Sequence, residues 1–156
     1  MEYGKFPAYR PRRMRATETM RRYIRETELS AKDFIYPLFV KPGIGLRDEI
    51  PSMPGVYQVS IDMLEAEMRE LAGLDVTSVL LFGIPSRKDE CGSEAYDDHG
   101  IVQEAVRAIR AKAPAMTVVT DVCMCEYTSH GHCGKLDGNG DVDNDATLEW
   151  LAAEAV

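Results

Sequence analysis

Apolar residues fall along this chain in three repeats of one pattern, a short apolar run followed by a stretch with helical periodicity. The first run, DFIYPLFV (33–40), has strand length and is stopped by Pro42 and Gly43. It predicts a strand over Phe34–Val40 and a long loop over 41–59. Beyond that loop Ile61, Leu64, Met68 and Leu71 share one helical face, with Ser60 placed to cap the helix. The second run, SVLLFGI (78–84), predicts another strand. The polar loop KDECGSEAYDDHG (88–100) leads from it to a helix over about Ile101–Lys112. The third unit predicts a strand over Met116–Met124, a loop over 125–143 and a helix from about Asp145 or Thr147 to Val156.

Residues 1–30 do not follow this pattern. Pro7 and Pro11 keep the start out of regular structure, and Thr17 can cap a short helix through Met20, Tyr23 and Ile24. The expected organisation is an N-terminal arm, 1–30, followed by an α/β body, 31–156. Near-continuous apolar strands alternating with amphipathic helices indicate a parallel sheet with covered faces. Three such units do not close a (β/α)8 barrel, which takes eight units and roughly 250 residues. The last helical stretch, LEWLAAEAV, runs out with no capping signal, which reads as a truncation and predicts exposed sheet edges.

Composition changes this picture little. At 45% hydrophobic and 28% charged residues, 156 residues suffice for one core. No apolar run reaches the ~18 to 20 residues of a membrane span. The basic start MEYGKFPAYRPRRMR has no apolar stretch behind it, so a secretory signal is not expected and the cytoplasm is the default location. Charge is more informative. Residues 1–25 carry eight basic and two acidic side chains, which leaves the remainder at −14 within a net charge of −8. An acidic body repels phosphate backbones, so a nucleic-acid partner is not expected. A basic arm lying on the acidic body of a second copy fits the asymmetry better.

Three of the four cysteines lie within TDVCMCEYTSHGHCG (120–134). Strand alternation would put Asp121, Cys123 and Cys125 on one face as the third strand ends. A turn through Gly131 and Gly134 could then bring Cys133 to the other two. Soft sulfur ligands favour zinc. Three protein ligands leave a fourth position for water or substrate, as in catalytic zinc sites. The same residues could instead be reduced buried thiols, or a closed site completed by a histidine. His132, beside Cys133, could bind a metal, support its ligands by hydrogen bonding, or be an ordinary loop residue; His130 flanks it. Cys91 reads as a free thiol in a polar loop, and His99 as a residue near the following helix start. Asp137, Asn139, Asp141 and Asp143 imitate a calcium loop, but Val142 and Leu148 stand where glycine and glutamate are needed. That stretch reads as a solvated acidic loop.

The segment DVCMCEYTSHGHCG (121–134) resembles the zinc-binding segment of metal-thiolate porphobilinogen synthases (5-aminolevulinate dehydratases). The likeness continues through RPRRMR (10–15), YPLFVKPG (36–43), SMPGVYQVS (52–60), LFGIPSRKDECGSEAYDDHGIVQEAVRAI (81–109) and VDNDATLEWLA (142–152), in order and over essentially the whole chain. The resemblance implies the arm and first three units of a (β/α)8 barrel. It implies an enzyme that condenses two 5-aminolevulinate molecules to porphobilinogen with loss of two waters in tetrapyrrole synthesis. Further implications are Zn2+ held by Cys123, Cys125 and Cys133, Asp121 orienting or deprotonating groups near the metal, and a homo-octamer in which the arm embraces a neighbour. The family's two Schiff-base lysines lie on later strands. Lys41, in FVKPG, matches a different family segment and is not expected to be the nucleophile. The 156 residues alone are therefore expected to be inactive. The competing expectation is a non-enzymatic zinc-binding or assembly fragment.

Overall fold

The computed structural model describes residues 4–156, which divide into two compact units at the junction of Ser30 and Ala31. In the first unit, helix α1 (Glu18–Ile24) begins where Thr17 accepts a hydrogen bond from the Met20 amide at 3.2 Å. This satisfies one of the amide donors that a helix start leaves unpaired. Glu18 then gathers Arg21, Arg22 and Arg25 around its carboxylate within 3.8 Å.

The second unit is built on a five-stranded sheet. Its strands are β1 (Tyr36–Lys41), β2 (Arg47–Glu49), β3 (Tyr57–Ser60), β4 (Ser78–Gly83) and β5 (Thr117–Thr120), in the order β2-β3-β1-β4-β5. Strands β1, β4 and β5 are parallel neighbours in chain order, with Leu38 beside Leu81 and Val79 beside Val118. Helix α2 (Leu64–Gly73) links the first pair and α3 (Ile101–Lys112) the second. This is the arrangement of consecutive units in a (β/α)8 barrel. Helix α4 (Asn144–Glu154) follows β5 and is capped by Asp143, whose carboxylate accepts from the Ala146 amide at 3.1 Å.

Alternation along the strands decides where the core lies. Leu38, Val40, Val79 and Leu81 point to one face and pack with Leu64, Met68 and Leu71 of α2 and Ile101, Ala105 and Ile109 of α3. The other face carries Phe39 and Phe82, stacked with centroids 5.2 Å apart, and these are only half-buried. The expectation of a sheet covered on both faces is thus met on the helical side alone. Among the described residues, no helix is long and apolar enough to cross a membrane.

Three local expectations are corrected. The first strand starts at Tyr36, not Phe34; Phe34 and Ile35 are exposed after a short 3-10 helix, Ala31–Asp33. The region 41–59 is not an open loop. It holds an antiparallel pair, β2 and β3, that pairs Arg47 with Val59 and Glu49 with Tyr57. Ser60 does not cap α2 through its side chain. Its buried hydroxyl instead receives the Leu46 amide at 2.9 Å and donates to Asp62 at 2.6 Å, tying the hairpin to a 3-10 turn, Ile61–Met63, that precedes the helix.

Candidate metal centre

The cysteine segment leaves the sheet earlier than its apolar content suggests. Strand β5 ends at Thr120 rather than Met124, so Asp121, Cys123 and Cys125 do not share a strand face. Cys123 is extended, and Met124–Glu126 form a single 3-10 turn. The cause is Met124. Its side chain is fully buried in a small second core with Ala95 and Tyr127, against which Tyr96, Trp150 and Leu151 pack. Driving Met124 inward leaves the residues on either side of it, Cys123 and Cys125, free to converge. Their sulfurs lie 3.3 Å apart.

Cys133 is brought back by a second set of restraints. Gly131 adopts φ +75°, a conformation that side-chain-bearing residues rarely take. The Thr128 hydroxyl donates to the His132 carbonyl at 2.9 Å, closing the turn. Gly134 lies so close to the buried Thr147 of α4 that a Cβ there would collide with it. The Thr147 hydroxyl also accepts the Lys135 amide at 3.0 Å. As a result the Cys133 sulfur sits 3.4 Å from that of Cys123, and the ligand atoms of all three cysteines lie within 4.8 Å of one another.

The loop after β4 braces the same segment. The Ser129 amide donates to the Asp89 carbonyl at 2.8 Å, and the Asp89 amide to the Tyr127 carbonyl at 3.3 Å. The Ser93 hydroxyl, joined by the Ser93 and Cys91 amides at 3.0 Å each, donates to the Asp89 carboxylate and holds it below the usual carboxylate range. Cys91 itself stays exposed and outside the cluster.

Burial pushes the Cys123 thiol up to about 12, only partly offset by the Cys125 amide, and burial likewise raises Cys125. Around a tetrahedral zinc bonded at ~2.3 Å, sulfurs stand about 3.8 Å apart. The Cys123 sulfur need move only about half an ångström from each of its two neighbours, and all three sulfurs already lie within 4.8 Å of one another, so this donor set fits such an ion. Among the described residues, these three cysteines are the one group whose ligand atoms converge in this way.

The histidines are not in that group. His130 accepts the His132 amide at its Nδ1 (3.1 Å), and its Nε2 lies 3.4 Å from the Glu90 carbonyl. His99 lies at the start of α3, with Nδ1 3.0 Å from Glu104. The Asp121 charge bears on two nearby carboxyls, Glu126 and Glu154. Burial, reinforced by the Asp121 charge, pushes the carboxyls of both Glu126 and Glu154 up to about 7. Neither glutamate stood out in the sequence. Glu154 sits in a helix whose neighbouring positions are alanines, and nothing in that pattern signals burial. Asp137 accepts the Asn139 and Asp141 amides, so the acidic loop spends its carboxylate on its own turn.

Comparison with known proteins agrees with this architecture. The family model described as delta-aminolevulinic acid dehydratase matches residues 8–156. Delta-aminolevulinic acid dehydratase of Synechococcus elongatus is 52% identical over 154 residues, covering 97% of this chain and 47% of that protein. The Bacillus subtilis enzyme of the same name is 51% identical over 147 residues, covering 94% and 45%. The chain thus spans about half the length of these relatives. The crystal structure of the Toxoplasma gondii enzyme in complex with its reaction product porphobilinogen superposes with a TM-score of 0.88 at 31% identity, covering 94% of this chain and 42% of that one. A family match over nearly every residue, joined to a shared fold, leaves one conclusion: the chain belongs to the delta-aminolevulinic acid dehydratase family.

Proposed function

We propose that this chain supplies the metal-thiolate centre of a porphobilinogen synthase, which joins two 5-aminolevulinate molecules into porphobilinogen and releases two waters. The observation that carries the reading is the convergence of the Cys123, Cys125 and Cys133 sulfurs beyond the C-terminal end of a parallel strand, the end at which barrels of this kind hold their chemistry. Porphobilinogen in the Toxoplasma relative supports the substrate class.

The three thiolates would hold Zn2+ and leave its fourth position open. Bound there, the ion supplies Lewis acidity toward a carbonyl or amine of one substrate molecule. The chain's own part is to fix the three sulfurs. Met124 anchors the turn between two of them, and the Thr128 and Thr147 hydroxyls return the third. Asp121, just past β5, would by resemblance help to orient or deprotonate groups near the metal, and its charge also bears on Glu126 and Glu154.

By resemblance, the amine nucleophile that a keto-acid substrate requires lies on later barrel strands of the family, which match none of these 156 residues. Lys41, at the end of β1, is paired with Asp48. The 156 residues alone are accordingly inactive. The intact enzyme works in the cytoplasm as a homo-oligomer, an octamer by resemblance, with the basic arm against a neighbouring acidic body.

Borohydride trapping with 5-aminolevulinate tests this reading. The full-length gene product is expected to form a covalent adduct and produce porphobilinogen, and the 156-residue chain neither. An adduct on the 156-residue chain would overturn the placement of the nucleophile. Lack of synthase activity in the zinc-loaded full-length protein would overturn the function.

A further inference from the structure

We infer that Glu154 is a positioning residue for the cysteine cluster, fixing the backbone of Cys123 from across the interface with α4. The inference rests on the metal reading above and adds a residue to it.

The Cys123 amide is the weak point of the segment. Strand β5 ends at Thr120, so the sheet ladder no longer supplies a partner for this N–H. Cys123 stands at the N-terminal boundary of the Met124–Glu126 turn, where backbone donors have no partner within the turn, and no side chain caps it. A buried amide without an acceptor costs as much as a lost hydrogen bond. The acceptor comes from 31 residues away: the Cys123 amide donates to Glu154 Oε1 at 3.3 Å.

Two features separate this contact from an incidental one. The other oxygen, Glu154 Oε2, is buried with no hydrogen-bond partner, the one side-chain oxygen or nitrogen in that condition among the described residues. Its carboxylate also lies in the field of Asp121 and Glu126, both of like charge. A side chain selected for stability alone would not be a half-satisfied carboxylate beside two others. The reach of Glu154 is moreover fixed. Trp150 and Leu151, on the preceding turn of α4, pack against the small core of Ala95, Met124 and Tyr127, which holds the residue next to Cys123. Helix and turn therefore move as one body, and the Glu154 contact sets the direction from which the Cys123 sulfur meets its partners.

The test uses the full-length gene product, wild type and with Glu154→Leu, Glu154→Gln and, as a control on the exposed face of α4, Glu149→Ala. Zinc affinity is measured by chelator competition. The absorption of the cobalt(II)-substituted protein reports the thiolate charge-transfer bands and the tetrahedral ligand field, and the metal-free Tm is recorded for each variant. Glu154→Leu is expected to weaken zinc about tenfold and alter the cobalt spectrum, in the range of residues that orient metal ligands. The metal-free Tm separates this local effect from a general loss of stability: the substitution removes an unpartnered oxygen but also leaves the Cys123 amide without its acceptor, and these act in opposite directions. Glu154→Gln, which keeps an acceptor oxygen, should restore the wild-type spectrum, and Glu149→Ala should change nothing. Wild-type affinity and spectrum in Glu154→Leu, with cobalt still bound through sulfur, would overturn the inference and leave the metal reading standing. Absence of thiolate charge transfer in the wild type would overturn both.

Discussion

Two connections leave the same edge-to-edge sheet at the C-terminal ends of parallel strands, and they are built by opposite means. The connection after β1 folds into the β2–β3 hairpin and extends the sheet, so its backbone is satisfied by strand pairing. Its side chains are polar: Arg47 lies 3.5 Å over the Tyr57 ring and 3.2 Å from Glu67, and β2 is exposed at every position. Charged edge strands of this kind resist pairing with other chains. The connection after β5 makes almost no ladder. It is held by one buried methionine, two threonine hydroxyls and a glutamate, and it delivers three sulfurs to one point. Repetitive backbone pairing makes a border. A chemical site needs individual side chains, each aimed by a different contact.

The sharpest way to break this contrast is to remove the sulfurs. Replacing Cys123, Cys125 and Cys133 together by alanine is expected to take bound zinc from one ion per chain to none, measured by atomic emission after dialysis. Cys91→Ala should leave the full complement. Next in size is the anchor. Met124→Ala in the metal-free protein should cost about 2–5 kcal/mol in denaturant unfolding, because the site is fully buried and closely packed. A loss well under 1 kcal/mol would mean that the turn is held by something else.

Acid should loosen the metal before it unfolds the hairpin. The Cys123 and Cys125 thiols are held above their ordinary range, so they are protonated at neutral pH and must release protons when metal binds. Apparent zinc affinity should therefore rise with pH, by about tenfold per unit for each proton displaced. A pH-independent affinity between pH 6 and 8, followed by competition titration, would contradict thiolate ligation. The smallest effect is expected at the hairpin. Arg47→Ala removes a cation–π contact and an exposed ion pair, and should lower the Tm far less than Met124→Ala while leaving zinc binding untouched.

The two connections also differ in how far the sequence announces them. The apolar runs of β1 and β4 and the helical period of α3 stand out because burial on one face demands them, and α3 occupies the expected span, Ile101–Lys112. The hairpin is hidden, since β2 reads Arg-Asp-Glu and carries none of the alternation that marks a half-buried strand. In the cysteine segment the ligand candidates are visible by type and spacing, but their geometry is not. Strand alternation places Cys123 and Cys125 on one face, whereas the burial of Met124 between them imposes a turn that brings them together by another route. Glu154 is hidden for a similar reason. Its role depends on an amide 31 residues away that the end of β5 leaves without a ladder partner, and no local pattern encodes such a relation.

X-ray absorption at the zinc edge of the loaded full-length protein bears most directly on the three-sulfur site. The account predicts three sulfur scatterers at about 2.3 Å and one lighter atom completing the shell. Two or fewer sulfurs, or a shell of nitrogen and oxygen alone, would contradict it.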